Sequence, residues 1–486
     1  MRILKIALFL VFAVWLVLPM VRTSVARGQI INANPGSIDS DPAPGLLPRC
    51  IQGQNGPAEA ATGFDDQSID PLFVSDFSHH QDQLTFDTVD FITDGLGPVY
   101  NAQSCRECHQ NTVSGGISQT NELRAGIKTS DPNTTLDPTV LIKDDAGNKH
   151  FINKRSLIND RAICPAGRLL FTQLPDGSFF DHKDAQAQER VDNIVDDDHK
   201  AVSPDQIVTT FRTSLNLLGD GLVEAVNSND FQAIADSQPA NMRGTLIPVK
   251  LLEVGGDPVF RIGRFGWKNQ QASLLSFSSD AYLNEMGITN RFDPDGLGKG
   301  IDVTDVCDDV PQPDHNDNED EENDIDSFTR FMRATKAPPR APHCESCPNP
   351  DPQIQLGAQL FVDMQCAVCH VKTLFTQPVG TWINGNTFQI PNGLGCRQFH
   401  PFSDFLLHDL GTVDITQGLA PANRVRTPPL WGVRTRDRLM HDGASVTFLD
   451  AIRRHHNQAQ DAFNNFFTLH RPDSDRAAVI AFLKSL

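Results

Sequence analysis

Positive charge is scarce in this 486-residue chain: 41 Lys and Arg stand against 61 Asp and Glu, a net charge of −20 and a pI near 5.1. So acidic a surface repels nucleic acid and anionic lipid and favours a basic protein partner. Long apolar runs are lacking too. After Met20 nothing resembles a membrane span, and 39% hydrophobic residues exclude a multi-spanning membrane protein and a fully disordered chain alike. Ten cysteines are too sparse for a disulfide mini-scaffold, so each must be read by its spacing. Neither a repeating βαβ pattern nor an EF-hand spacing occurs. With 34 Gly and 32 Pro, the composition suits a loop-rich globular protein of two or three domains.

What is present begins with an export signal. Arg2 and Lys5 flank the start of an apolar run over residues 6–20, and Ser24-Val25-Ala26 offers the small residues a signal peptidase reads. The run falls short of the roughly 20 residues that span a bilayer. Residues 1–26 are therefore expected to be a cleaved signal peptide and the mature chain to be periplasmic, where disulfides persist. Residues 314–324 are strongly acidic and hold no large apolar side chain, so they read as solvated linker. Their carboxylates, or Asp293 and Asp295, could hold calcium. Pro338-Pro339 and Cys347-Pro348 extend the interruption and divide the chain into 27–335 and 336–486. Beyond it, Leu356, Leu360, Phe361 and Met364 form one helical stripe, and Val479, Phe482, Leu483 and Leu486 another.

Two motifs carry chemistry. Cys105-Arg106-Glu107-Cys108-His109 and Cys366-Ala367-Val368-Cys369-His370 both read C-x-x-C-H. In that spacing two thiols add across the vinyl groups of haem and the adjacent His reaches the iron. A zinc site would not need His directly after each pair, and a redox dithiol would need a βαβ context. Cys344-Glu345-Ser346-Cys347 is followed by Pro348, lacks the ligand, and reads as a local disulfide. Cys50, Cys164, Cys307 and Cys396 remain, with pairing open. Met440, His441, His455 and His456 are candidates for the far side of the second iron, and His150, His182 and His199 could close the first. An iron with two protein ligands moves electrons, whereas one with an open face can bind peroxide or oxygen.

Several longer stretches are distinctive: Gly95-Leu96-Gly97-Pro98-Val99-Tyr100-Asn101-Ala102-Gln103-Ser104 before the first motif, Phe265-Gly266-Trp267-Lys268, and Tyr282-Leu283-Asn284-Glu285-Met286-Gly287. After the second motif come Ser403-Asp404-Phe405-Leu406-Leu407-His408-Asp409, Arg426-Thr427-Pro428-Pro429-Leu430-Trp431-Gly432-Val433 and His441-Asp442-Gly443. With these the chain resembles the di-haem oxidoreductase/peroxidase family of c-type cytochromes (thiol oxidoreductase-like), related to bacterial di-haem cytochrome c peroxidases. The resemblance implies a mainly α fold of two cytochrome c-like haem domains, with long loop-rich insertions in the N-terminal one. It implies two covalent c-type haems on Cys105, Cys108, Cys366 and Cys369, with His109 and His370 as proximal ligands. The family's second ligand to the C-terminal iron, a Met in the better-known relatives, falls on His455. Imidazole favours ferric iron, so a lower potential is expected there. By the same resemblance Glu285 lies near the distal amide position of the first haem and Asp293 or Asp295 near the distal acid, and Trp267 lies between the haems; Glu224 is a further acid candidate.

The resulting expectation is peroxidase-like chemistry. Peroxide or another small oxidant would react at the His109 haem, and a small electron-donor protein (cytochrome c or cupredoxin) would feed the His370/His455 haem. Two rivals stand beside it. One is a pure electron-transfer protein with both irons closed; the other is an oxidase of a protein or thiol substrate, supported only by Cys344 and Cys347.

Overall fold

Alternation of polar and apolar residues decides the architecture of the N-terminal part. Strand β1 (Asn121–Lys128) carries Glu122 and Arg124 on one face and Leu123, Ala125 and Ile127 on the other, the two-residue period of a half-buried strand. It pairs antiparallel with β2 (Thr135–Leu136), β3 (Leu157–Ile158) and β4 (Ile207–Thr213), and β4 and β3 flank it together at residues 123–124. Leu123, Ala125, Ile158 and Ile207 pack into a core with Val99, Ile194 and Leu283. A computed structural model describes residues 50, 57–97, 99–143, 149–152, 155–162, 171–173, 179–181, 190–292, 323–468 and 470–486.

The expected mainly α fold is overturned: helix makes up 30% and strand 18%, spread over many small sheets. The physical reason lies between the first C-x-x-C-H and Trp267. That interval, expected as a loop-rich insertion, forms β1 to β4 and a second antiparallel set, because its apolar residues alternate rather than recur at helical spacing. Most other strands are two or three residues long, too short to leave a periodic signal.

Helices frame the rest. Helix α1 (Asp76–Asp87) packs on α3 (Asp324–Ala334), which also meets α2 (Leu274–Met286). Phe86, Phe328, Phe331 and Tyr282 form the aromatic centre of that group, with Phe86 and Phe331 ring centres 4.9 Å apart. Further on, α4 (Pro352–Asp363) lies against α6 (Asp473–Leu483), with α5 (Phe448–Arg453) nearby. Gly357 permits the close approach, since a Cβ there would stand 2.0 Å from the Ala478 carbonyl oxygen. One turn on, Phe361 meets Phe482 at 5.3 Å. The largest buried cluster runs from Ala60 to Trp431 and so draws on both sides of residue 336.

Disulfides join Cys50 to Cys396 and Cys344 to Cys347. The bonded Cys344–Cys347 pair leaves no free dithiol at that position. Cys164, Cys307, Asp293, Asp295, residues 1–26 and residues 314–322 lie outside the described residues. No helix among the described residues is long and apolar enough to cross a membrane.

Candidate active site

Each C-x-x-C-H motif opens with a short 3-10 turn, Cys105–Glu107 and Cys366–Val368, that turns both thiols and the histidine toward one cavity. The first cavity, of about 300 Å³, is lined by Cys105, Cys108 and His109. The second, of about 150 Å³, is lined by Cys366, Cys369 and His370. All four cysteines are unbonded to one another. Burial pushes their thiols up, to about 12 for Cys366, with nearby carboxylates adding to the effect at Cys105, Cys108 and Cys369. Thiols so disposed toward the neutral form do not suit a reactive dithiol.

The histidines are prepared as ligands. Nδ1 of His109 lies 3.2 Å from the Gly116 carbonyl, that of His370 3.0 Å from the Phe402 carbonyl, and that of His455 2.7 Å from the Ala451 carbonyl. A carbonyl only accepts, so each Nδ1 carries the proton and each Nε2 keeps its lone pair for a metal. Burial pushes all three pKa values down, His370 to about 4 with His455 adding to the effect, so the rings stay neutral.

In the second cavity the His370 and His455 ring centres are 6.5 Å apart. Two metal–imidazole bonds of about 2.0 Å, plus about 1.1 Å from each nitrogen to its ring centre, require about 6.2 Å. The α5 residues before His455 therefore set it where one iron could be held between the two rings. Of the other candidates, Met440 and His441 line this cavity, and His456 instead meets Phe463 in a tilted ring contact at 5.1 Å. The cavity is otherwise mostly apolar, with Phe361, Phe448, Ile452 and Leu483 among its walls.

The first cavity is different. Among the described residues its lining holds no histidine besides His109; Met286 and Met332 contribute sulfur, and ionisable groups crowd one wall. Those groups come from the sheet. Glu122 and Arg124 share a face of β1, Arg212 of β4 pairs opposite Glu122, and Leu157 of β3 pairs opposite Arg124 with Arg155 two residues before it. All five line the cavity, as the strand pleat requires. Sequence reasoning missed this wall; the alternation Glu122-Leu123-Arg124-Ala125 is the signal that could have found it. His199 is exposed and stacks on Phe151, 3.9 Å between ring centres, while His182 and the His150 side chain lie outside the described residues.

Glu285, near the end of α2, faces that wall. It accepts a hydrogen bond from Asn101 Nδ2 at 2.9 Å, and Arg124 Nη2 stands 3.7 Å from its other oxygen. Arg124 also holds Glu122 through Nε at 2.8 Å, so one guanidinium bridges two carboxylates. Burial, then the Glu122 charge, push Glu285 up to about 7. Arg155 is buried, donates to Asn284 and Asn159, and has an Nε without a partner.

Trp267 is the single residue lining both cavities among the described residues. Its Nε1 donates to the Thr213 carbonyl at 2.8 Å, and its ring meets His441 edge-on at 6.2 Å. The next residue locks it in place: Lys268 is fully buried, donates to the Pro421 carbonyl at 2.6 Å, and stands 3.8 Å from Asp414, which pairs with Arg212 at 3.2 Å.

Glu224 is placed elsewhere. It lines neither cavity, accepts from Leu274 N and Asn384 Nδ2 at 2.8 Å each, and pairs with Arg333 at 2.6 Å. Burial alone would raise its pKa, and Arg333 overrides that and holds it below the usual carboxylate range. It is a fold anchor joining α3 to α2. Glu224→Ala should cost about 3–5 kcal/mol by leaving Arg333 without its partner, read as a lower thermal unfolding midpoint.

Cys369, Asp404 and His408 form the one cluster of metal-ligand types among the described residues. His408 Nε2 already holds Asp404 at 2.8 Å, Gln238 donates to the same carboxylate, and Cys369 belongs to the second motif. The cluster reads as the polar support of that motif.

A family model described as "Di-haem oxidoreductase, putative peroxidase" matches residues 179–486. The match takes in Trp267, Glu285, the second motif and His455, and begins after the first motif. No curated protein matches the chain. Among solved structures, hydrazine synthase from Kuenenia stuttgartiensis, pressurised with xenon, is similar at 17% identity over 34% of this chain and 55% of that one, with a TM-score of 0.23. The diheme peroxidase BthA from Burkholderia thailandensis E264 is similar at 15% identity over 45% of this chain and 59% of that one, also with a TM-score of 0.23. The chain thus spans under two thirds of either structure, and neither superposition is close enough to carry an argument.

Proposed function

The chain belongs to the di-haem oxidoreductase family, and from that premise we propose that it is an exported c-type cytochrome that reduces peroxide in its first cavity. The observation that carries this reading is the asymmetry of the two cavities. In the second, His370 and His455 stand at the separation that brackets one iron. In the first, His109 shares the lining with no second histidine among the described residues, and with a carboxylate whose pKa lies near neutrality.

In this reading Cys105 and Cys108, and Cys366 and Cys369, carry the haems as thioethers. Haem supplies redox-active iron and, where one face is open, a position for a small oxidant. The residues do the rest. Glu285 takes a proton from the incoming peroxide and returns it to the departing oxygen. Asn101 and Arg124 hold its carboxylate toward that task. Trp267, wedged between the cavities and fixed by Thr213 and Lys268, supports a short electron path from the second site to the first. Peroxide reduction consumes two electrons, which gives two sites a reason to coexist in one chain. The net charge of −20 favours a small basic electron-donor protein, a cytochrome c or cupredoxin, in an extracytoplasmic compartment.

Purified holoprotein should carry two tetrapyrrole additions by mass and consume peroxide with a reduced basic cytochrome as donor. A mature chain without added tetrapyrrole, or loaded protein inert to peroxide in every redox state, rejects the reading.

A further inference from the structure

Between the two large cavities lies a third, of about 10 Å³, with an unusual lining. It shares Leu215 with the first cavity, and Pro429 and Arg436 with the second. Asn216, Trp431 and Arg436 also line it, and four of their buried nitrogens have no hydrogen-bond partner: Asn216 Nδ2, Trp431 Nε1, and Nε and Nη2 of Arg436. All four are donors. Trp431 is only 4% exposed, so water outside the protein does not serve its N–H. Arg436 makes no side-chain hydrogen bond or ion pair among the described residues, and burial alone pushes its pKa down to about 10.

A guanidinium with two buried, unpartnered nitrogens, sharing its lining with two further unpartnered donors, calls for an acceptor with negative charge. A cation is excluded by the same donors. A single neutral water would leave the guanidinium's charge uncompensated. The volume admits about one water-sized atom, which fits one oxygen of a carboxylate whose body lies in an adjoining space. Haem carries two propionates, and Arg436 lines the second cavity as well as the small one.

Resting on the reading that a c-type haem occupies the second cavity, we propose that Arg436, Trp431 and Asn216 form an anion seat that takes one propionate oxygen of that haem. Gly432, in the left-handed region at φ +67 and close against Pro338, sets the tight turn that brings Trp431 and Arg436 to the same space. The seat ties the carboxylate end of the haem to the partition between the sites. Its positive charge favours the reduced iron.

The test is a spectroelectrochemical titration of holoprotein, following the low-spin bands of the second haem, in the parent and in Arg436→Gln, Arg436→Lys and Trp431→Phe. Haem stoichiometry is measured first by pyridine haemochrome. A parent with fewer than two haems rejects the functional reading itself, and the seat with it. With two haems bound, Arg436→Gln should lower the second potential by roughly 59 mV, a tenfold shift in the ferric-to-ferrous ratio. Arg436→Lys should keep most of the parent value, and Trp431→Phe should shift it the same way by less. If Arg436→Gln does not load, the Lys and Phe variants decide, since an unmoved potential in Trp431→Phe overturns the seat. An unmoved potential in loaded Arg436→Gln overturns it as well. Replacing chloride by gluconate should leave the parent unchanged; a chloride-dependent potential that vanishes in Arg436→Gln means a free halide fills the space and overturns the propionate assignment.

Discussion

Holoprotein carrying Glu285→Gln should turn over peroxide about 10²–10⁴-fold more slowly than the parent, with haem content unchanged. Gln keeps the shape and can still accept from Asn101, so the fold around the site should survive, whereas the proton-carrying oxygen is gone. The pH profile separates this from simple damage. Burial, then Glu122, place the Glu285 pKa at about 7, so the proton-accepting form grows as pH rises through that value. In the parent kcat/KM should therefore climb through about pH 7 and level off above it, and in the Gln variant that limb should vanish. Stopped-flow peroxide consumption across pH checks both. A variant with parental rate and an intact pH limb would place the proton transfer elsewhere.

A second large effect is expected at the other iron. His455→Met should raise the midpoint potential of the second haem by a sizeable part of the roughly 0.8 V range that axial ligands span, because thioether favours ferrous iron where imidazole favours ferric. The near-infrared charge-transfer band should appear at the position of a His/Met pair. The geometry leaves little freedom here: the two rings stand at the distance of one shared iron, and the Ala451 carbonyl fixes the tautomer. Unchanged spectrum and potential in His455→Met would mean that Met440 or His441, which line the same cavity, is the ligand instead.

The C-terminal part was readable because its signals are local. The spacing of Cys366, Cys369 and His370, the stripe ending at Phe361 and Met364, and the apolar period through Val479 and Phe482 each depend on neighbours within a turn or two. They correspond to one motif and the packed pair α4 and α6. The N-terminal part was not readable in the same way. Its cavity wall depends on register between strands far apart in sequence, with Arg212 meeting Glu122 and Leu157 meeting Arg124. No local period reports such pairings, and the expectation of a mainly α fold failed there. Glu285 shares the first cavity's lining with the first motif, but Arg124, Arg155 and Glu122, which line it too, were not foreseen. Glu224 looked similar in sequence and turned out to be consumed by Arg333, since sequence alone does not reveal whether a carboxylate has a buried cation beside it. Arg436 drew no notice, because an unpartnered charge shows itself only against its three-dimensional neighbours.

In the proposed function one iron is closed by two imidazoles and the other is left open, although Met286 and Met332 also line its cavity. Low-temperature EPR of the fully ferric, doubly loaded protein tests this directly. The spectrum should show one low-spin signal of a bis-imidazole haem together with one high-spin signal that changes when peroxide or cyanide is added. Two low-spin signals, both indifferent to added ligand in every redox state, would contradict it and leave a protein that only conducts electrons.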